Sequence, residues 1–162
     1  MVKKYFTTTP SQTKKLGEIL AKKILKNSLF KTALIIGLEG DLGGGKTTFL
    51  QGFARGLRVK EKVLSPTFVL IKKFLLLKKT QKGGSGAKFQ TFYHIDCYRI
   101  QKAKELLALE FKKIISNPQN IVAIEWADRV RQVLPKDIIT LKFKFVDKKT
   151  RRIVILLKNG KR

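Results

Sequence analysis

The sequence is poor in several residue types, and each scarcity excludes a class of protein. A single cysteine, Cys97, among 162 residues excludes an internal disulfide framework and is typical of a reducing compartment. A single histidine, His94, leaves no room for a multi-histidine metal site. Every apolar run is far shorter than a membrane-spanning helix, and no long apolar segment follows the charged N-terminus. We therefore expect a soluble, cytoplasmic protein without a signal peptide.

Acidic residues are also scarce, since 11 Asp and Glu stand against 36 Lys and Arg and give a net charge of +25. Such a field attracts polyanions, including nucleotides and nucleic acids. Lysine outnumbers arginine 28 to 8 and is scattered along the whole chain, whereas dedicated RNA sites concentrate arginine and aromatic residues on one face. We favour a lysine-biased composition, and the alternative is weak, salt-dependent contact with tRNA.

Four of the twelve glycines lie in one short stretch, and the rest of the chain is organised around it. Residues 40–48 read GDLGGGKTT and match GxxxxGK[ST], the phosphate-binding loop. An apolar run at 33–38 precedes the loop and a helix-compatible segment at 47–57 follows it, as a strand–loop–helix nucleotide site requires. The backbone N–H groups of such a loop surround a phosphate. The residues predicted to bind the nucleotide here are Asp41, Leu42, Gly43, Gly44, Gly45, Lys46, Thr47 and Thr48.

Two side chains of this loop carry specific chemistry. Lys46 is placed to reach the β- and γ-phosphates of a nucleotide, and the Thr47 hydroxyl is placed to hold a magnesium ion. The alternative is a glycine-rich turn that joins a strand to a helix and binds nothing. The strand before the loop and the helix after it favour the phosphate site.

Carboxylates for magnesium are expected near such a loop. Glu125 follows the apolar residues 121–124, which is the pattern of a Walker B strand with Glu in place of Asp, and ligands of open α/β sheets bind at the carboxyl ends of strands. Asp96 directly follows the strand predicted at 89–95. The alternatives are a solvated strand-end acid for Glu125 and a turn or capping residue for Asp96. Trp126 would stack on a base or a partner, although composition alone favours a core aromatic.

The remaining pattern alternates strands with helices, which predicts an α/β fold. We expect strands at 2–8, 33–38, 68–77, 89–95, 120–126, 138–146 and 152–157. We expect helices at 10–26, 47–57 and 103–115, with one or two helical turns at 127–134. The glycine-rich residues 78–88 predict a flexible hairpin tip, and the last two strands a C-terminal β-hairpin. Without internal repeats, residues 1–162 are expected to form a single domain.

Four motifs stand in a diagnostic order, namely GDLGGGKTTF at 40–49, SPTF at 65–68, HIDCYR at 94–99 and IEW at 124–126. Over about residues 7–135 this combination closely resembles the bacterial TsaE family, also called YjeE. The resemblance implies a P-loop NTPase fold with a mixed central sheet flanked by helices. It also implies an ATPase that uses ATP and Mg²⁺ and works with the proteins TsaB and TsaD. That assembly forms threonylcarbamoyladenosine beside the anticodon of tRNAs that read codons starting with A, so tRNA is reached through the complex.

The resemblance also assigns roles to single residues. Lys46 and Thr47 match the phosphate and magnesium residues of the family, Asp96 matches a magnesium-associated acid, and Glu125 matches the Walker B-like acid. The implied catalytic residues are Lys46, Asp96 and Glu125. The implied metal ligands are Thr47, Asp96 and Glu125.

Further family positions lie outside the phosphate loop and the acids. Residues 65–67, with Thr67, match a switch-like loop near the γ-phosphate, and Trp126 matches an aromatic residue associated with activity, so both join the implied nucleotide site. Gly44 stands where the family usually has Ala, and Cys97 where it usually has Leu. The basic hairpin at 72–88 looks long for the family.

Two other classes of protein share parts of this pattern. A small-molecule or nucleotide kinase shares the phosphate loop, but no arginine-bearing lid is evident among the eight arginines, and Arg99 alone stands near the motifs as a charge stabiliser. A non-catalytic RNA-binding protein would not need the combination of Lys46, Thr47, Asp96 and Glu125. We therefore favour the ATPase and keep the kinase as the alternative.

Overall fold

The computed structural model describes residues 1–26, 31–64, 70–76 and 89–157. The switch-like loop 65–67 with Thr67, and the expected hairpin tip at 78–88, lie outside the described residues. The strands are β1 (Val2–Thr7), β2 (Leu34–Gly40), β3 (Ile71–Leu75), β4 (Thr91–Asp96), β5 (Asn120–Glu125), β6 (Ile139–Phe145) and β7 (Arg151–Leu157). The helices are α1 (Pro10–Lys26), α2 (Lys46–Gly56), α3 (Lys104–Leu107), α4 (Phe111–Ser116) and a 3₁₀ helix (Ala127–Val133).

The described strands form one seven-stranded sheet in the order β1-β7-β6-β2-β5-β4-β3. The four inner strands β6, β2, β5 and β4 are parallel, while the pairs β1–β7, β6–β7 and β3–β4 are antiparallel. The predicted mixed sheet and C-terminal hairpin are therefore confirmed. Because parallel strands point the same way, the carboxyl ends of β2, β5 and β4 meet at one edge of the sheet.

The hydrophobic core lies on both faces of the sheet. Phe49 and Phe53 of α2 pack with Ile36 of β2 on one face. On the other face, Ile35 packs with Val130 of the 3₁₀ helix. Side chains alternate between the faces of a strand, so a strand covered on both sides reads as a continuous apolar run. This is why residues 33–38 are apolar without alternation.

Helix α1 begins where its capping pattern predicts. The backbone N–H of Gln12 donates to Oγ1 of Thr9 at 3.2 Å, and Pro10 is the first helical residue. The Gln12 side chain returns a bond by accepting from the N–H of Thr8 at 2.7 Å. This is the reciprocal arrangement of a capping box, with the returned bond one residue before the cap.

The single helix expected at 103–115 is wrong, because the structure has two short helices there. Glu110 adopts a left-handed conformation, with φ of 54°, and separates α3 from α4. Leu106 and Phe111 are both fully buried in the same core cluster. Residues five apart on one continuous helix point about 140° apart, so the break allows both side chains to enter the core.

Helices α1 and α2 pack so closely that glycine is required at their contact. A Cβ on Gly52 would overlap the carbonyl oxygen of Lys14. We expect Gly52→Ala to lower the free energy of unfolding by about 2–4 kcal/mol, although alanine favours helix more than glycine does. Urea denaturation would measure the change, with Gln51→Ala on the same helix as the control. Unchanged or raised stability in Gly52→Ala would contradict the close packing of the two helices.

None of the helices within the described residues combines the length and the apolar character needed to span a membrane.

Candidate nucleotide-binding site

The glycine loop lies at the sheet edge where the predicted acids also lie. It connects the end of β2 to the start of α2. Glu125 is the last residue of β5, which pairs directly with β2, and Asp96 is the last residue of β4. Asp96 and Glu125 are opposite each other in the register of β4 and β5. The topology therefore brings the loop and both acids together.

Two glycines give the loop its shape. Gly40 has a φ of 124°, and a Cβ there would overlap the carbonyl oxygen of Phe143 in β6. Gly45 has a φ of 99° and is the residue at which α2 begins, where no side chain caps the helix. Left-handed backbone is accessible to glycine at little cost. An uncapped helix N-terminus presents free N–H groups and a favourable field to an anion.

The Lys46 side chain folds back across the loop. Its ammonium nitrogen donates to the carbonyl oxygens of Gly40 at 2.7 Å and Asp41 at 2.8 Å, and lies 3.9 Å from the centre of the Trp126 ring. Only 4% of the residue is exposed, and this burial lowers its pKa. Four carboxylates act in the opposite direction and raise the Lys46 pKa. In decreasing order of effect, they belong to Glu125, Asp128, Asp41 and Asp96. The Lys46 ammonium is therefore a partly desolvated cation held against the backbone of the glycine loop.

Glu125 is a buried carboxylate at the centre of the site. It is 2% exposed, so the alternative of a solvated strand-end acid is wrong. The Thr47 hydroxyl donates to both carboxylate oxygens, at 3.0 Å each. The Nε2 atom of His94 lies 2.9 Å from Oε1 of the same carboxylate. A buried charge needs such partners, and here a hydroxyl and an imidazole supply them.

Asp96 makes the contact of a turn residue and also lies at the sheet edge beside Glu125, while its role toward a metal stays a prediction. One of its carboxylate oxygens accepts a hydrogen bond from the backbone N–H of Tyr98 at 2.9 Å, as a turn residue does. Its position opposite Glu125 nevertheless places it beside the buried carboxylate. The turn bond fixes the direction of the Asp96 side chain at the sheet edge.

Trp126 is more than a core aromatic. It packs partly against the core cluster that contains Ile35 and Val130. Its other neighbours are the Tyr98 ring at 5.0 Å, the Arg129 guanidinium at 5.3 Å and the Lys46 ammonium. Its backbone is left-handed, with φ of 59° and ψ of 42°. A bulky residue in this conformation is strained, and such strain is concentrated at functional sites.

Three residues join the site that the sequence did not single out for it, namely His94, Tyr98 and Arg129. His94 is two residues before Asp96 on β4, so strand alternation alone would have placed both on one face. Arg129 donates from Nη1 to the carbonyl oxygen of Tyr98 at 2.7 Å. Arg129 therefore contacts the aromatic pair of Tyr98 and Trp126. This contact depends on how the 3₁₀ helix packs and has no local signal. The interpretation of Arg99 as a charge stabiliser stays a prediction.

The donor set favours one kind of metal. Thr47, Asp96 and Glu125 offer hard oxygen ligands, which suit Mg²⁺. Among the described residues, no group of three His, Cys, Asp or Glu side chains could hold a metal ion. Mg²⁺ in nucleotide sites takes one or two carboxylates and completes its shell with phosphate oxygens and water, so this sparse set fits it.

These features together define the class of protein. A glycine loop lies between a buried parallel strand and a helix, with Lys46 and Thr47 at the helix start and an acid at the end of the neighbouring strand. This is the fold of the P-loop NTPases, a class of nucleotide-binding proteins. The chain belongs to the TsaE family, since the family model described as "Threonylcarbamoyl adenosine biosynthesis protein TsaE" matches residues 7–153.

Curated relatives and a solved structure agree with this assignment. The tRNA threonylcarbamoyladenosine biosynthesis protein TsaE of Bacillus subtilis is 33% identical over 141 residues, which cover 87% of this chain and 77% of the relative. The protein of the same name from Aquifex aeolicus is 32% identical over 160 residues, or 98% of both chains. The crystal structure of YdiB from Bacillus subtilis matches with a TM-score of 0.68 and 27% identity, covering 97% of this chain and 86% of that one.

Proposed function

We propose that this protein is the ATP-binding and ATP-hydrolysing subunit of an assembly with TsaB and TsaD that forms threonylcarbamoyladenosine in tRNA. The observation that carries the proposal is the arrangement of Lys46, Thr47 and Glu125 around one glycine loop. The named relatives support the pathway, because they are described as tRNA threonylcarbamoyladenosine biosynthesis proteins. That pathway also supports a cytoplasmic location, where tRNA is found.

Phosphate binding would rearrange the Lys46 side chain. Its ammonium now bonds the carbonyl oxygens of Gly40 and Asp41, and phosphate oxygens would replace these neutral acceptors with charged ones. The backbone N–H groups at the start of α2 would bind the same phosphates. The residues proposed to hold the nucleotide in this loop run from Asp41 to Thr48.

The proposed metal ligands are Thr47, Asp96 and Glu125. The Thr47 hydroxyl would turn its lone pairs to the ion, and the two carboxylates would bind it directly or through water. Bound Mg²⁺ would neutralise charge on the phosphate oxygens and stabilise the charge that develops during transfer to water. Glu125 and Asp96 would keep the metal-bound water and the attacking water oriented.

Trp126 is proposed to contact the nucleotide, together with the neighbouring Tyr98. Tyr98 is 44% exposed, and the adjacent rings form an aromatic surface next to the loop. Aromatic rings stack on bases without needing a specific hydrogen-bond pattern. Thr67 is proposed as part of the γ-phosphate switch on the strength of the family resemblance, and it lies outside the described residues.

The kinase alternative is not favoured. The family model covers residues 7–153, and the matching relatives are named for tRNA modification. tRNA is proposed to reach this protein indirectly, through the complex, with at most weak direct contact from its lysines. A scan of small phosphate acceptors would expose a kinase, since a kinase would transfer the γ-phosphate to one of them.

We expect the isolated protein to hydrolyse ATP slowly and the TsaB–TsaD pair to raise the rate by about 10-fold or more. Charge stabilisation supplied in trans is worth roughly 10³–10⁵ in rate in other P-loop proteins. Within this chain, Arg129 contacts Trp126, but its Nη1 donates to the Tyr98 carbonyl oxygen. We therefore expect the stabilising charge to come from the partners. Steady-state phosphate release, with and without the partners, would measure the effect.

Lys46→Ala mixed with the same partners is the control for hydrolysis by contaminants. Fast turnover by the isolated protein, unchanged by the partners, would contradict the coupled role.

A further inference from the structure

The single histidine of the chain is part of the candidate site, although no motif chemistry requires it. His94 lies on β4 with 0% of its surface exposed. It is on the same face of the strand as Phe92, which packs in the core beneath α2. A polar ring in this position must have a partner, and its Nε2 atom has one in the Glu125 carboxylate at 2.9 Å.

The bond direction follows from the chemistry of the partner. An ionised carboxylate only accepts hydrogen bonds, so a hydrogen bond between the two groups requires a hydrogen on Nε2 that points at Glu125. The other ring nitrogen, Nδ1, is buried and has no hydrogen-bond partner among the described residues. A lone pair at Nδ1 is tolerated there more readily than an unpaired N–H would be. The geometry therefore directs the Nε2 donor of His94 to Glu125.

The Glu125 carboxylate is held from two sides. The Thr47 hydroxyl has one hydrogen, which it shares between the two carboxylate oxygens at 3.0 Å each. If Thr47 turns its oxygen to Mg²⁺, as the proposed function requires, the hydrogen bond from Thr47 to Glu125 changes. The His94 bond comes from the core and does not depend on the loop, so it remains. Partners of this kind, which hold a ligand rather than the metal, fix its orientation.

We propose that His94 is a positioning residue that holds the Glu125 carboxylate toward the magnesium–nucleotide site. The inference rests on the proposed function and adds one residue to it. His94 acts through Glu125 and touches neither the nucleotide nor the metal.

Two substitutions separate the hydrogen bond from the packing. His94→Gln keeps a donor, because the amide nitrogen of glutamine reaches about as far from the backbone as Nε2 does. His94→Leu fills much of the space and has no donor. Thr91→Val is the matched control, since it removes a buried hydroxyl from the same strand on the opposite face.

We expect His94→Leu to weaken Mn²⁺ binding in the presence of ADP by about 10-fold or more, with His94→Gln within about threefold of wild type. Hydrolysis by the full chain with its partners should follow the same order. The kcat of His94→Leu at saturating ATP and Mg²⁺ should fall by about 10–100-fold, and any rise in KM for the Mg²⁺–ATP complex should be no larger than the loss of Mn²⁺ affinity. Thr91→Val should keep wild-type metal affinity and kcat even if its melting temperature falls.

A second measurement does not depend on activity. Because His94 is the only histidine, a long-range ¹H–¹⁵N spectrum of the imidazole reports on it without assignment. We expect the tautomer protonated at Nε2, with slow exchange of that proton. The Nδ1-protonated tautomer, or equal metal affinity in His94→Leu and wild type, would overturn the inference. Absence of ATP hydrolysis by the wild-type complex would instead contradict the proposed function. The spectrum and the Mn²⁺ titration would still test the positioning role of His94.

Discussion

Lys46→Ala is expected to raise the dissociation constants for ATP and ADP by about 100-fold or more while leaving the protein folded. The phosphates of a bound nucleotide would lose their one charged partner in the loop, and a charge-assisted hydrogen bond in a partly buried site is worth about 1.5–3 kcal/mol or more. The fold should survive because the Lys46 ammonium contacts loop carbonyls and the Trp126 ring rather than core side chains. Isothermal titration calorimetry and circular dichroism would measure affinity and fold.

The matched control is Lys142→Ala, which removes an exposed lysine from β6, beside the loop strand. It should leave nucleotide affinity within about twofold of wild type, because general charge is not what binds the phosphate. If folded Lys46→Ala binds ATP as tightly as wild type, the loop is not the phosphate site. An equal loss in both variants would mean that the net charge of +25 governs binding.

Glu125→Gln is expected to lower the kcat for ATP hydrolysis by about 100-fold or more and to change nucleotide affinity by less than about fivefold. The carboxylate is proposed to hold Mg²⁺ and its water, whose contribution is largest where charge develops in the transition state. Glutamine keeps the volume and can still accept from Thr47, so the buried site stays packed. Single-turnover hydrolysis in the presence of the partners, together with ADP titration, separates the two effects.

Glu125→Ala is a less clean change than Glu125→Gln. It would leave the Thr47 hydroxyl and the buried His94 ring without their acceptor. Such unsatisfied groups cost about 1–3 kcal/mol, so the alanine variant should also melt at a lower temperature. Normal hydrolysis by Glu125→Gln would show that this acid has been assigned the wrong role.

Asp96 can be tested in the same way, with a variant that preserves its turn. Asp96→Asn keeps an oxygen to accept from the N–H of Tyr98 and removes only the charge. We expect it to lower hydrolysis more than nucleotide binding, as Asp96→Ala should. If only the alanine variant loses activity, the turn rather than the charge is what the site needs.

The order of strands and helices was predictable because it depends on local patterns. The apolar run of β2 and the glycines of the loop are adjacent in the sequence, and the backbone at Gly40 and Gly45 is accessible to few other residues. The cap at Thr9 is equally local. The helix expected at 103–115 was wrong because local propensity favours a continuous helix there. Burial of Leu106 and Phe111 in one core overrides that propensity.

The assignment of acids to the site was partly predictable. That Glu125 and Asp96 end strands follows from the sequence, and parallel strands bring such ends to one edge. Whether each acid is buried or solvated was open, and the structure shows Glu125 buried under the loop helix. The single domain and the roles of the site residues stay predictions, because neither the fold nor the relatives test them.

The sequence by itself determined the phosphate loop, because a GxxxxGK[ST] pattern between strand and helix constrains its own backbone within a few residues. Only the tertiary structure decided what surrounds the loop. Thr47 meets Glu125 across 78 residues of sequence, and His94 meets it across 31. Such contacts depend on the order and register of the strands, which no short stretch of sequence contains. They also depend on burial, because a buried polar group must be hydrogen-bonded by other groups of the protein.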